Sequence, residues 1–147
     1  MKNVLMLVVL CPLVAACGDA PQSDEAAPNA AIVADATVTI EQPMAGSDVM
    51  GSAVTVRLTV TGVPIVPAGD LTPLTGHHHL YLDADLTAAG EPVPTVPGSI
   101  VHMGDASSEF TFEDVGPGEH RLIAVVADGV HVPLQPWVVD TVTFTVR

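Results

Sequence analysis

Residues 53–61, A-V-T-V-R-L-T-V-T, decide the fold class because apolar and polar side chains alternate along them without a break. One face carries three valines and a leucine, and the other carries Arg57 and three threonines. A period of two is typical of a strand that packs one face into a core and turns the other towards water. This stretch therefore predicts a strand at the surface of an all-β domain.

Similar short strands are predicted on both sides of it. Residues 37–41 and 138–146 alternate apolar residues with threonine, and two phenylalanines share a face of residues 109–115. Residues 123–127 are apolar on both faces, which indicates a central strand. Gly- and Pro-containing turns separate these segments, and no amphipathic helix pattern follows residue 18. The pattern predicts an immunoglobulin-like antiparallel β-sandwich, with a small β-barrel as the alternative.

The length and the charge of the chain limit how many domains it can form and which partners it can bind. The chain of 147 residues is long enough for one core after an export signal is removed. Its formal net charge is -13, and without Lys2, its only lysine, 3 arginines against 17 acidic residues give -14. Such a charge repels a phosphate backbone and attracts cations, so nucleic acid is excluded as an expected partner. The sequence does not identify a protein partner.

The first 16 residues predict an export signal. Lys2 precedes an apolar run that is shorter than the roughly 20 residues a membrane-spanning helix needs, and Pro12 interrupts the run. Val14-Ala15-Ala16-Cys17 resembles the lipobox of bacterial lipoproteins, in which cleavage precedes a cysteine that carries lipid. We therefore predict a signal peptide at residues 1–16 and lipidation at Cys17.

Residues 17–36 are rich in Ala, Pro and acidic residues without a sustained period, so they are interpreted as a flexible tether. Residues 37–147 form the predicted folded domain, which contains no cysteine for a disulfide or a thiolate site. These features predict a lipid-anchored protein of a diderm cell envelope that faces the periplasm or the cell exterior. Gly18, in place of a retention aspartate, favours the outer membrane by resemblance to enteric lipoproteins.

Half of the six histidines occur in T-G-H-H-H-L-Y-L-D, residues 75–83. On a strand, His77, His79 and Tyr81 share one face, whereas His78 lies on the other face with two leucines. Residues two apart lie about 7 Å from each other, a span that two imidazoles can bridge to one metal ion.

Six sequence blocks carry a family resemblance: P-M-A-G-S-D-V, V-P-A-G, G-H-H-H-L-Y-L-D, H-M-G, P-G-E-H-R-L and A-D-G-V-H-V-P. From about Val38 onwards the chain resembles DUF4399, a domain of unknown function found in exported bacterial proteins. The resemblance implies no established activity. Leu134 stands where that family commonly has a further histidine, and H-M-G-D-A-S-S-E replaces a glycine-rich stretch. A site that uses those positions would be weakened in this chain.

The candidate metal ligands are His77, His78, His79, His102 and His131, followed by His120, Met103 and Asp83. The histidines at the start of one strand and those in two loops would converge if these segments meet at one pole of the sandwich. A site without cysteine favours Zn²⁺ or Cu²⁺, and Met103 would add a preference for Cu(I).

Two other classes of function are weighed against metal binding. In a structural or interaction module, the histidines would only hydrogen-bond loops, and His120 would tie a corner of the sandwich. Tyr81 and Trp137 would be the exposed anchors of an interaction surface, although Trp137 is expected in the core.

An enzyme is not predicted, because the usual nucleophile, zinc-helix and phosphate-loop motifs are absent from the sequence. A zinc hydrolase would need an open coordination position and a carboxylate base such as Asp83 or Asp105.

Overall fold

Eight β-strands make up the regular structure of residues 35–147, the part of the chain that this computed structural model describes. The predicted signal peptide, Cys17 and nearly all of the predicted tether lie outside the described residues. The strands are β1 (Thr37–Gln42), β2 (Asp48–Val49), β3 (Val54–Thr61), β4 (His77–Leu82), β5 (Ile100–Met103), β6 (Glu109–Phe112), β7 (Gly118–Ala127) and β8 (Val139–Val146).

The strands form two separate sheets that pack as a sandwich. One sheet has the order β1-β3-β6, and the other has the order β2-β8-β7-β4-β5. All pairings are antiparallel except the short parallel pair β2–β8. This division matches the immunoglobulin pattern, in which strands A, B and E oppose strands C, F and G. The predicted sandwich is confirmed, and the alternative of a barrel is wrong because the two sheets do not close on each other.

The predicted strand of residues 53–61 is β3, and its alternation positions the sandwich core. Val54, Val56 and Leu58 are buried, whereas Arg57 on the opposite face is exposed. The inner face of the second sheet adds alternate residues of β4, β7 and β8, which form one apolar cluster with β3. Burial of each large aliphatic side chain contributes roughly 1.5–3 kcal/mol, so this alternation supplies the main force that holds the two sheets together.

A second, smaller core covers the outer face of the five-stranded sheet. Strand β7 lies between β4 and β8, and its residues from Leu122 onwards are buried on both faces, as the predicted central strand requires. On the outer side, Ile123 and Val125 pack with Tyr81 and Val93. The segment between β4 and β5 supplies Val93 and thus shields a sheet face that would otherwise meet water.

The two aromatic anchors of the interaction-module hypothesis do not form an exposed pair. Tyr81 is fully buried, and its hydroxyl forms a 2.9 Å hydrogen bond with Thr87 Oγ1. Trp137 is 36% exposed, so the expectation that it packs in the core is wrong: it lies in the connection that precedes β8, outside either apolar cluster. Within residues 35–147 there is no helix of the length and apolar character needed to cross a membrane.

Candidate metal centre

Strand β4 places three consecutive histidines in the protein interior. It pairs with β5 along one edge and with β7 along the other, and the two apolar clusters cover its two faces. His77, His78 and His79 are each at most 2% exposed. Since strand side chains alternate, His77 and His79 lie on the outer face with Tyr81, and His78 lies on the inner face with the main core. Burial of three titratable groups in a row is costly unless each finds a partner.

The pairing of β4 with β5 brings in a third imidazole. His79 lies opposite His102 in the antiparallel register, which puts both side chains on the same face of the sheet. Strand β5 is the edge strand of the five-stranded sheet, and His102 is half-buried. His79 and His102 therefore stack across two neighbouring strands, with an interplanar angle of 9°.

A tight turn after β7 brings in the fourth imidazole. The Oδ1 atom of Asp128 accepts hydrogen bonds from the backbone N–H groups of Val130 and Val132, at 3.0 and 2.9 Å. The backbone N–H of His131 donates to the carbonyl of Asp128 at 2.9 Å, and His131 has a φ of 69°. The turn folds His131 back over the end of β4. Asp followed by Gly signals a turn in the sequence, but the role of Asp128 in orienting His131 was not predicted.

These four side chains, here called the histidine cluster, are His77, His79, His102 and His131. Each offers one ring nitrogen, and these nitrogens all lie within 4.8 Å of one another. The ring of His131 is nearly perpendicular to those of His79 and His102, at 89° and 81°. The histidine cluster lies at one end of the five-stranded sheet, on its outer face, where it adjoins the smaller core.

The hydrogen-bonding geometry of the histidine cluster is unusual. His77 Nε2 lies 3.0 Å from His79 Nε2 and also 3.0 Å from His131 Nδ1. Three more buried ring nitrogens of the cluster have no hydrogen-bond partner among the described residues: His77 Nδ1, His79 Nδ1 and His102 Nε2. Outside the cluster, the same is true of His78 Nε2. A neutral imidazole nitrogen carries either one proton or one lone pair, so His77 Nε2 cannot form a full hydrogen bond with both neighbours.

Burial keeps His77, His79 and His102 of the histidine cluster neutral. Desolvation, followed by the nearby His102 and His131, lowers the pKa of His77 to about 4. Desolvation, followed by His77 and the other cluster imidazoles, lowers the pKa of His79 to about 3. The pKa of His102 is also lowered, by desolvation and by His131. Neutral imidazole is the form that binds a metal ion, so at pH 7 these three rings need not lose a proton first.

Two of the predicted candidates belong to the opposite face of the sheet. His78 Nδ1 donates to the carbonyl of Ser107 at 3.0 Å, and burial lowers the pKa of His78 although this carbonyl opposes the shift. Met103 lies opposite His78 in the register and packs in the main core. Both residues immediately neighbour a member of the histidine cluster along their strands, so alternation directs them away from it.

His120 and Asp83 form a separate pair near the start of β7. His120 Nδ1 lies 2.7 Å from Asp83 Oδ2, and His120 Nε2 lies 2.8 Å from the carbonyl of Gly116. Both partners are acceptors, so both ring nitrogens donate. Burial opposes the charged ring, but the bonds to Asp83 and Gly116 outweigh it and raise the pKa of His120. His120 thus ties the corner before β7, which is the structural role considered for it from the sequence.

The remaining polar candidates are also accounted for elsewhere. Asp83 Oδ1 accepts a 2.9 Å hydrogen bond from the backbone N–H of Arg121, and Asp105 Oδ1 accepts one of the same length from that of Ser107. Neither carboxylate is a member of the histidine cluster. Leu134, at the position where a further histidine was expected by resemblance, packs against the main core. Its identity therefore removes no ligand from the histidine cluster.

Comparisons with known proteins give a family but no activity. No curated protein matched the sequence. Among solved structures, the crystal structure of an engineered protein from a structural genomics consortium matched with a TM-score of 0.42 and 14% identity. That match covers 78% of this chain and 20% of the engineered one, so the chain spans about a fifth of its length. The family described as "Domain of unknown function (DUF4399)" matches residues 56–147, and the chain belongs to this family.

Proposed function

We propose that this protein is a lipid-anchored protein of the cell envelope that binds one transition-metal ion, Zn²⁺ or Cu²⁺, through the histidine cluster. The observation that carries the proposal is the position of His77 Nε2, which lies 3.0 Å from a ring nitrogen of His79 and of His131. A cation at their centre would accept a lone pair from each nitrogen and satisfy them together, which protons cannot do.

The spacing of the nitrogens suits a small ion. Zinc–imidazole bonds of about 2.0–2.1 Å in a tetrahedron place neighbouring nitrogens about 3.3 Å apart. Two pairs in the histidine cluster are separated by 3.0 Å, and the nitrogens of all four residues lie within 4.8 Å of one another. Small shifts of the rings would therefore complete a four-imidazole site. Imidazole suits zinc and copper, and Met103 faces the main core, so its thioether does not add a preference for Cu(I).

The alternative is that these imidazoles serve only to hydrogen-bond loops. Two histidines outside the histidine cluster form hydrogen bonds of this structural kind. His78 bonds a backbone carbonyl through Nδ1 although its Nε2 has no partner, and His120 bonds a carbonyl and a carboxylate through its two nitrogens. Among the described residues, the rings of the histidine cluster have only each other as side-chain hydrogen-bond partners, and three of their buried nitrogens have none. A structural role would leave His77 Nε2 shared between two imidazole nitrogens that it cannot both satisfy, a conflict that a common cation would remove.

Binding is favoured over hydrolysis as the function of this site. A hydrolytic zinc site needs an exchangeable position and a general base beside it. The histidine cluster contains four imidazoles and no carboxylate, and Asp83 and Asp105 are engaged elsewhere. Asp128 is the carboxylate whose charge acts on His77, where it raises the pKa against the larger effects of burial, His102 and His131. Asp128 would also partly balance the charge of a bound cation.

The location is proposed from the N-terminal sequence. Val14-Ala15-Ala16-Cys17 resembles a lipobox, and the acidic, Pro-containing residues that follow would connect the lipid to the domain. The substitution Cys17→Ala should leave an unlipidated precursor, which is detected by metabolic labelling with a fatty acid. Normal labelling and cleavage of this variant would contradict the anchor but would not affect the proposal of metal binding.

Metal binding is tested by calorimetric titration with Zn²⁺ and Cu²⁺. The full chain should carry Cys11→Ser and Cys17→Ser so that no thiol competes for the ion. We expect one ion per chain, with affinity at least about tenfold lower for His131→Ala. His120→Ala is the matched control, because it removes an imidazole that lies outside the histidine cluster. No binding at micromolar concentration, or equal binding by the parent chain and His131→Ala, would contradict the proposal.

A further inference from the structure

The long connection between β3 and β4 runs across both segments that carry the half-buried histidines. Its residues 66–71 are here called the strap. The strap is fixed at one end by a 2.8 Å hydrogen bond from Val66 N–H to the carbonyl of Gly76. In its middle, Ala68 N–H donates to the carbonyl of Gly104 at 3.0 Å. The strap is thus hydrogen-bonded to residues next to His77 and close to His102.

Gly104 lies between the strap and the imidazole of His102. A β-carbon at this position would lie 3.2 Å from the β-carbon of Ala68 and 3.2 Å from His102 Nε2. These separations are tighter than ordinary van der Waals contact, so a methyl group would move either the strap or the ring. The absence of a side chain at position 104 allows the two to stay close.

Gly129 makes a closer contact between the strap and the turn that carries His131. A β-carbon at this position would overlap the carbonyl oxygen of Asp70 and lie 3.0 Å from Leu71 Cδ2. The obstructing atom belongs to the backbone of Asp70 and cannot rotate away as a side chain could. A methyl group at residue 129 must therefore push the strap away from the turn. Neither Gly104 nor Gly129 has a left-handed φ, so the requirement for glycine is one of space alone.

The four ligands of the proposed site differ in how they are held. His77 and His79 lie on a strand that is hydrogen-bonded on both sides. His102 lies on an edge strand, and His131 lies in a turn. His102 and His131 are therefore the less restrained ligands. The strap packs against Gly104, two residues after His102, and against Gly129, two residues before His131. A site binds most tightly when its ligands are already held in the productive geometry.

On the basis of the proposed function, we infer that the strap retains the metal ion: its packing against Gly104 and Gly129 holds His102 and His131 in place and so sets the affinity and the rate of release. Gly104 and Gly129 are positioning residues in this arrangement, since neither offers a ligand atom. Loosening of the strap would free two of the four imidazoles while the two on β4 remain in place.

The test compares three glycine-to-alanine substitutions in the full chain that carries Cys11→Ser and Cys17→Ser. Gly129→Ala and Gly104→Ala insert a methyl group beneath the strap, whereas Gly116→Ala is the matched control. Gly116 also lacks a left-handed φ, and a β-carbon there would meet nothing within 4 Å. For each variant, Zn²⁺ affinity is measured by calorimetry, and release is measured by stopped-flow transfer to a chromogenic chelator.

We expect Gly129→Ala to bind Zn²⁺ about 10- to 100-fold more weakly and to release it correspondingly faster, the range seen when groups that orient metal ligands are changed. Gly104→Ala should show a smaller change in the same direction, because its neighbours need to move by only a few tenths of an ångström, whereas the methyl group of Gly129→Ala overlaps a backbone carbonyl. It is also the variant to use if Gly129→Ala does not fold, as judged by circular dichroism. Gly116→Ala should match the parent chain.

A role in stability alone is separated from a role in metal retention by electron paramagnetic resonance of the Cu²⁺ form. Fewer coupled imidazole nitrogens in Gly129→Ala or Gly104→Ala than in the parent chain would support the inference. Unchanged affinity, release and imidazole count in both folded variants would overturn it while leaving the metal site intact. Failure of the parent chain to bind metal would instead overturn the proposed function, and the inference with it.

Discussion

His79 and His102 face each other across the β4–β5 pair, with their rings stacked at an interplanar angle of 9° and a centroid separation of 4.9 Å. The antiparallel register produces this contact, because residues directly opposite each other project to the same face of the sheet. His77 joins them from two residues earlier on β4, and His131 closes the group from the turn after β7. The sheet therefore fixes the positions of three members of the histidine cluster, and a turn fixes the position of the fourth.

The stability of the metal-free protein should fall as the pH is lowered from 7 to 5. In the unfolded chain His77 and His79 titrate near their ordinary pKa of 6.5, whereas in the fold their pKa values are lowered to about 4 and about 3. Below pH 6.5 the unfolded chain therefore takes up protons that the folded chain excludes. Their stabilising contribution is complete above pH 6.5 and is lost as the pH falls towards the lowered values.

At pH 5 the expected loss is about 2 kcal/mol for each of the two histidines, at 1.36 kcal/mol for each pH unit below 6.5. The raised pKa of His120 acts in the opposite sense, because its contribution is present below pH 6.5 and declines at higher pH. Urea denaturation at the two pH values, in the presence of a chelator, measures the difference. Equal stability at pH 7 and pH 5 would show that the buried imidazoles are not held neutral.

Asp128 should control metal affinity through the turn that it organises. Asp128→Ala removes the acceptor for the N–H groups of Val130 and Val132, on either side of His131. We expect it to lower the free energy of unfolding by about 1–3 kcal/mol and to weaken Zn²⁺ binding about tenfold. Asp128→Asn keeps the accepting oxygen and should retain most of the affinity. Wild-type affinity in the alanine variant would mean that the turn does not position His131.

His78 should be dispensable for metal binding although it lies between two proposed ligands. Its side chain projects to the inner face, where it bonds the carbonyl of Ser107. We expect His78→Leu to keep Zn²⁺ affinity within about twofold, as for an independent site. The comparison is His79→Leu, which removes an imidazole from the histidine cluster and should bind at least about tenfold more weakly. A similar loss in both variants would place His78 in the site.

Alternation along the chain is sufficient to predict much of this fold. The period of two in residues 53–61 identified β3, and the apolar run of residues 123–127 identified the C-terminal half of β7. The same rule placed His77 and His79 together and His78 apart. Periodicity distinguishes the two faces of a strand, but it does not state which face a later segment covers. The smaller core on the outer face, which Val93 helps to build, was therefore not predicted.

The path of the connections is the other part that the sequence left open. Histidines from three separate segments could be expected at one pole, but that expectation could not separate the outer face from the interior of the sandwich. The strap lies in a connection that contains Pro64, Pro67 and Pro73, and its contacts with Gly104 and Gly129 depend on tertiary packing that leaves no local sequence pattern. Strand β2, with only two residues, was too short for a periodic pattern to reveal.

X-ray absorption at the zinc edge of the Zn²⁺-loaded protein tests the central claim most directly, because it counts the atoms bound to the ion. The chain with Cys11→Ser and Cys17→Ser should show four nitrogen ligands at about 2.0–2.1 Å with the multiple scattering of imidazole. His131→Ala should show one imidazole fewer. A shell made up mainly of carboxylate or water oxygens, or a sulfur at about 2.3 Å, would contradict a metal site built from His77, His79, His102 and His131.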